Sequence, residues 1–386
     1  MTSSFNFTEN TNISLTGVYN SSVTTADFDK DGDTDILLTG YDSSHNPISQ
    51  IYSNNGSGGF SQNTNVSLSG VGYSFVTTAD FDKDGNTDIL FAGYDSFYKR
   101  ISQIYGNNGS GGFSENTNVS LTGVYKGSVT TADFDKDGDT DILLTGQDSL
   151  YQPISQIYSN NGSGGFSENT NISLPGVYNS SVTTADFDKD GNTDILLTGK
   201  DSSGRISQIY SNNGSGGFSE NTNVSLTGVY YSSVTTADFD KDGDTDILLT
   251  GKDGSGPISK IYSNNGSGGF SENTNVSLTG VYFSSVTTAD FDSDGDTDIL
   301  LTGKDSSSNY ISKIYSNNGS GGFSENTNIS LNGVYKGSVT TADFDSDGNT
   351  DILLTGKDSS NKPISKIYSN TPTSTPPHLQ QFCWPG

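Results

Sequence analysis

Short runs of β-branched and apolar residues alternate along the chain with runs of Asp, Asn, Gly and Ser. In the first copy of the pattern, Val23-Thr24-Thr25-Ala26-Asp27-Phe28 is rich in strand formers. Asp35-Ile36-Leu37-Leu38-Thr39-Gly40 is apolar on both faces, the mark of a buried strand. Residues 48–53 alternate and predict a third strand, and Asn54-Asn55-Gly56-Ser57-Gly58-Gly59 predicts a turn. Residues 60–68 predict a fourth, more polar strand with Val66 and Leu68 on one side. The unit recurs seven times with a period of 52–53 residues, and no stretch has a helical period. Four short antiparallel strands per unit predict an all-β fold, a seven-bladed β-propeller of four-stranded blades.

The ends predict closure. The seventh unit stops after its third strand, at Ile367-Tyr368-Ser369-Asn370, while residues 5–15 match residues 60–68 and their copies. The N-terminal strand is therefore expected to complete the last blade and hide two strand edges. Residues 1–370 are expected to form one domain. Residues 371–386, with the lone Cys383 and Trp384, read as a Pro/Thr-rich flexible tail.

Between the first two strands of every unit lies an acidic nonapeptide with Asp at positions one, three, five and nine and Gly at position six. Position seven is Asp or Asn. The sets are Asp27, Asp29, Asp31, Asp33 and Asp35; Asp80, Asp82, Asp84, Asn86 and Asp88; and Asp133, Asp135, Asp137, Asp139 and Asp141. They continue with Asp186, Asp188, Asp190, Asn192 and Asp194; then Asp238, Asp240, Asp242, Asp244 and Asp246. The last two are Asp290, Asp292, Asp294, Asp296 and Asp298, and Asp343, Asp345, Asp347, Asn349 and Asp351. A hard cation such as Ca²⁺ takes six to eight oxygens from carboxylates, a carbonyl and water on a tightly curled loop. A position that accepts Asp or Asn alike suits a ligand giving only its backbone carbonyl. Up to seven Ca²⁺, one per repeat, are expected.

Composition reinforces the metal reading. The net charge is −27, and only 30% of residues are hydrophobic. The 28 Asp at positions one, three, five and nine alone account for that acidity, since the other 17 acids nearly balance the 18 Lys and Arg. Without metal, the carboxylates in each loop repel one another at short range, so the fold is expected to depend on calcium. Such a charge disfavours nucleic acid or an anionic membrane as partner, and no apolar run is long enough to insert in a membrane. One cysteine excludes an intrachain disulfide and a cysteine zinc site. No signal peptide is visible at Met1-Thr2-Ser3-Ser4; an extracellular or cell-surface setting, where calcium is millimolar, is expected. Only His45 and His378 occur, and the carboxylates are committed to the loops, so no enzyme is expected.

The pattern V-T-T-A-D-F-D-x-D-G-[DN]-T-D-I-L-L-T-G, followed by I-Y-S-N-N-G-S-G-G-F, resembles the FG-GAP (VCBS-type) repeat over residues 5–370. That repeat builds the propeller of integrin alpha chains and of many bacterial and fungal surface proteins. The resemblance implies side-chain ligation by Asp27, Asp29, Asp31 and Asp35 with the Asp33 carbonyl, and likewise in the other copies. Seven-bladed calcium-binding fungal lectins share the repeat count and the loop chemistry, which implies carbohydrate binding.

The copies diverge in two places. One is the position shared by Asn20, Tyr73, Lys126, Asn179, Tyr231, Phe283 and Lys336, read as a loop before each first strand. The other is the connection between strands two and three, opening at Tyr41, Tyr94, Gln147, Lys200, Lys252, Lys304 and Lys357. In an up-and-down blade both lie on one face, opposite the acidic loops and the unchanging turn. Tyr, Phe, Lys and Asn on such loops suit sugar rings, so glycans are the expected ligand. A structural or adhesive role, with a surface protein or another copy of the chain as partner, is the alternative. Two sets of Asn-X-Ser sequons also recur, including Asn55 and Asn12 with their copies; the first set equally suits a tight turn.

Overall fold

A computed structural model describes residues 5–372. They form seven four-stranded antiparallel sheets, and among the described residues there is no helix. The first blade is β2 (Tyr19–Ala26), β3 (Asp35–Tyr41), β4 (Pro47–Asn54) and β5 (Phe60–Gln62), paired in that order. The last blade joins β26 (Val339–Ala342), β27 (Asp351–Lys357) and β28 (Pro363–Pro372) to β1 (Phe5–Glu9). The N-terminal strand thus closes the ring as expected, with Phe7 opposite Asn370 and Glu9 opposite Tyr368. Pairing of Asn6 with Thr371 carries the last strand past residue 370, and the rest of the expected tail, from residue 373, lies outside the described residues.

The core is divided among the blade interfaces. On β3, Ile36 and Leu38 point into one cluster with Phe344 and Ile367 of the last blade. Leu37, between them, points the other way, into a cluster with Ile89 and Phe91 of the second blade. A strand sandwiched between two neighbours must be apolar on both sides, which is why Ile36, Leu37 and Leu38 are all fully buried. Burial of each such side chain is worth about 1.5–3 kcal/mol. The chain's low hydrophobic content is concentrated in these repeating Ile-Leu-Leu segments.

The fourth strand is shorter than its composition predicts. Pairing ends at Gln62, after three residues, and the chain turns away through Asn-Thr-Asn. There Asn63 Nδ2 donates to the Gly111 carbonyl of the next blade at 3.2 Å. Val66 and Leu68 still pack on the interface core, from irregular backbone.

Candidate functional site

The acidic loops sit where adjacent blades meet. In each, the residue at position two is a fully buried Phe that packs edge-to-face on a Phe of the next blade, as Phe28 does on Phe113 at 5.6 Å. At the ring closure Phe291 meets Phe7 of the N-terminal strand at 5.7 Å, so Phe7 replaces the partner that the truncated seventh unit lacks. The flanking acids at positions one and three are thereby held at the interface rim.

Within the first loop, Asp27 Oδ1 accepts from Asp31 N (3.1 Å) and Asp27 Oδ2 from Gly32 N (3.0 Å), while Asp31 Oδ1 accepts from Asp33 N (2.9 Å). Gly32 takes φ of +94°, a conformation that favours glycine. Asp35 is fully buried and accepts from Phe28 N and Asn54 N, both at 2.9 Å, tying the loop's start to the end of β4. Carboxylate oxygens of Asp27, Asp29 and Asp35 lie within 4.8 Å of one another, and the same grouping recurs in the other blades. Burial pushes Asp35, Asp88, Asp141, Asp194 and Asp246 up to about 6, and Asp298 and Asp351 to about 7, against the opposing pull of their backbone hydrogen bonds.

The donor set fits a hard cation. Asp29 Oδ1, Asp133 Oδ1, Asp238 Oδ1 and Asp345 Oδ1 are buried and accept no hydrogen bond. An orphaned carboxylate oxygen costs more than a kilocalorie unless something positive meets it (about 1–3 kcal/mol). All donors are oxygens, with no Cys or His among them.

Sequence reasoning reads Asn54 and its copies only as turn residues, yet they are clips between blades. Asn54 Nδ2 donates to the Phe344 carbonyl of the preceding blade (3.0 Å), and Asn107 Nδ2 to that of Phe28 (2.9 Å). The other copies repeat the bond, ending with Asn370 on Phe291. The available signal was an Asn ending the third strand at the same place in every unit. The adjacent Gly56 is fixed for a related reason: at φ of +71° a Cβ there would meet the Asp33 carboxylate at 2.6 Å. Asn55 Oδ1 accepts from Ser57 N and Gly59 N, so the first sequon set does serve the turn.

On the opposite face, six of the seven divergent residues expected in separate loops instead occupy the second position of their blade's innermost strand, while Lys336 lies just before β26, next to the bridge between Tyr335 and Lys357. A bulge there breaks the register, between Tyr19 and Ser22 in the first blade. All seven have positive φ: Asn20 43°, Tyr73 48°, Lys126 53°, Asn179 48°, Tyr231 50°, Phe283 47° and Lys336 52°. Backbones there are linked around the axis, with Lys336 N donating to the Phe283 carbonyl and Asn20 N to that of Lys336. The seven side chains line one basin of about 320 Å³, floored by serines such as Ser74, Ser180 and Ser284. Those hydroxyls bond threonines of the neighbouring blade, as Thr39 Oγ1 does with Ser74 Oγ at 2.8 Å. The reason for the miss is local: only the bulge turns an inner-strand residue toward the axis, and nothing in the sequence marks it.

Aromatic rings and cations surround the basin. Tyr231 and Phe283 are 4.1 Å apart, and Lys336 lies over the rings of Phe283 and Tyr335. Arg100 lies over Tyr125 at 4.6 Å and Tyr151 at 4.2 Å. Beside it Phe97, Tyr98, Leu150 and Tyr151 form an exposed apolar shelf confined to the second and third blades. His45, the one histidine in the described residues, packs edge-on against Tyr19 at 5.9 Å.

Fold and loops together define a closed β-propeller with an Asp-rich oxygen cage at each blade boundary. The FG-GAP-like repeat model matches residues 27–91, 80–144, 145–197, 186–249, 238–301 and 290–354, and the chain belongs to that family. No curated protein sequence matches the chain.

Several solved structures are similar in fold. One is a protein of unknown function from Dyadobacter fermentans, at 8% identity and a TM-score of 0.45, covering 96% of this chain and 98% of that one. Another is an exo-beta-1,3-galactanase from Phanerochaete chrysosporium in complex with beta-1,3-galactotriose, at 11% identity and a TM-score of 0.34, covering 93% and 90%. A third is a family 43 arabinoxylan arabinofuranohydrolase from Bacillus subtilis in complex with cellotetraose, at 9% identity and a TM-score of 0.33, covering 95% and 94%. The likeness is one of fold. It corrects the expectation that this chain is no enzyme: glycoside hydrolases stand among the similar propellers, so scarce histidines and committed carboxylates do not exclude catalysis.

Proposed function

We propose that this protein is a calcium-stabilised propeller that binds carbohydrate in the axial basin. One observation carries the reading: at one of the two places where the repeats diverge, all seven residues line a single cavity. Left-handed backbone costs a non-glycine residue about 1 kcal/mol or more, yet no repeat uses glycine at this position. Side chains kept where glycine would be less strained are consistent with selection for what those side chains touch. Tyr73, Tyr231 and Phe283 offer flat apolar surface, and Asn20 and Asn179 offer donors and acceptors for hydroxyls. The basin is one asymmetric site, which differs from seven equivalent ones.

Calcium in this reading is structural. The Asp at positions one, three, five and nine, with the position-seven carbonyl, would hold it, and it would supply positive charge to carboxylates that otherwise repel. Millimolar calcium outside cells suits such loops, and an extracellular setting is part of the proposal.

The test is a glycan array run with calcium and again with chelator, using the parent chain and Tyr231→Ala with Phe283→Ala. The pair should lower affinity about tenfold or more (about 1.4 kcal/mol per decade) without lowering the melting temperature. Unchanged binding would remove the basin from the account. The shelf of Phe97, Tyr98, Leu150 and Tyr151 favours a second reading, an adhesive protein whose partner is another protein; a Phe97→Ser, Leu150→Ser variant that loses a pulled-down partner but keeps glycan binding would select it.

A further inference from the structure

Charge is distributed unevenly over the molecule. The acidic loops hold 32 of the 45 acids (28 at positions one, three, five and nine, four at position seven) and five of the 18 Lys and Arg. The face around the basin carries ten of the 18 Lys and Arg, from Lys99 to Lys362, and seven Asp from Asp42 to Asp358. Those Asp are already engaged: Asp42 Oδ1 accepts from Ser44 N and Asn46 N of its own turn, both at 2.8 Å, and Asp95 and Asp148 repeat the arrangement.

Inside the basin the contrast sharpens. Its lining includes Lys126 and Lys336 and no carboxylate. Neither lysine has an acidic partner among the described residues; Lys126 lies over the Tyr125 ring at 5.0 Å, and Lys336 over Phe283 at 5.2 Å. Burial, with the nearby charges of Lys357 and Lys304, pushes the Lys336 ammonium down from its ordinary value. Two cations share a half-enclosed cavity in a protein of net charge −27, with no counter-charge built in.

Resting on the carbohydrate reading, we infer that the basin takes an anionic saccharide, one carrying a carboxylate or a sulfate. The anionic group pairs with Lys126 and Lys336, and the sugar ring lies against Tyr231 and Phe283. A neutral sugar would leave both ammoniums partly desolvated and unpaired, a cost that an acidic one removes. The opposite face, strongly acidic on balance, repels the same ligand, so approach is directed to the basin.

The experiment compares matched neutral, uronate-bearing and sulfated oligosaccharides, and free phosphate and acetate, by calorimetry on the calcium-loaded chain. Acidic oligosaccharides should bind at least tenfold more tightly than neutral ones of equal length. Lys336→Gln and Lys126→Gln should each remove about tenfold of that preference, and salt raised from about 0.05 to 0.5 M should weaken it severalfold. An unchanged melting temperature of each variant shows that the fold persists. Equal affinity for neutral and acidic sugars, or acidic binding indifferent to both substitutions, overturns the inference while leaving the carbohydrate reading intact. Binding of free phosphate and acetate with no saccharide bound supports the anion site and defeats the carbohydrate reading.

Discussion

The two faces of the ring are built on opposite rules. On the loop face every unit repeats the same Asp spacing, buried Phe and Asn clip, because each boundary between blades poses the same packing problem. On the basin face the backbone repeats, down to the same positive φ, while the side chains at that position range over Asn, Tyr, Lys and Phe. Identity on one side is what a ring of like interfaces requires, and diversity on the other is what a single axial site permits. The comparison teaches that repetition here marks structure, and under the proposed function departure from it marks recognition.

The comparison breaks most severely if the loop face is removed. Stripping calcium should lower the melting temperature by the largest margin of any perturbation, since each site filled at a hundredfold excess over its Kd contributes about 2.7 kcal/mol. A scan with and without chelator checks this, and equal melting points would end the structural role of metal. Asp35→Ala should cost about 2–5 kcal/mol by denaturant titration, because it strands Phe28 N–H and Asn54 N–H in a buried site. Position seven, by contrast, should accept Asp or Asn with little change.

A smaller effect concerns pH. Carboxyls raised from 3.8 to about 6 or 7 in the folded chain hold protons that the unfolded chain has released. Their ionisation therefore opposes folding: the cost is absent below about pH 4 and grows until the folded values near 6 and 7 are passed. Metal-free protein should accordingly melt higher at pH 5 than at pH 7.5, and the loaded protein should show the reverse, because binding requires the ionised form. Parallel melting curves for the two forms would show that the loop carboxyls do not control stability.

Much of this was legible in the sequence, and the exceptions share a cause. The blade count, the closing role of residues 5–9 and the oxygen loops follow from period and spacing, which survive in any correct reading of the chain. The Asn54 clip and the gathering of Tyr73, Lys126 and Lys336 on the axis do not, because both concern which neighbour a residue meets across the ring. Sequence separation hides that relation: Asn54 bonds Phe344, 290 positions away. The fourth strand was over-read because its polar Asn-Thr-Asn segment alternates like a strand but spends Asn63 on a bond to the next blade.

The finest test of the contrast lies between neighbouring loops. Lys83 pairs with Asp139, Lys189 with Asp244 and Lys241 with Asp296, each joining position four of one loop to position seven of the next. At the first boundary Lys30 faces a loop with Asn86 at position seven, and at the ring closure Asp33 follows a loop with Ser346 at position four. The Lys83 side chain is half exposed, so its pair with Asp139 is screened by water and limited to the small contribution of an exposed ion pair. Asp139→Asn converts that boundary to the arrangement the first one already has. Its cost should fall within that limit in dilute buffer and vanish near 0.5 M salt, where the screening length is only about 4 Å. A larger, salt-insensitive loss would mean that the position-seven carboxylate itself takes part in holding the loop, and the division of labour between side-chain and carbonyl ligands would have to be redrawn.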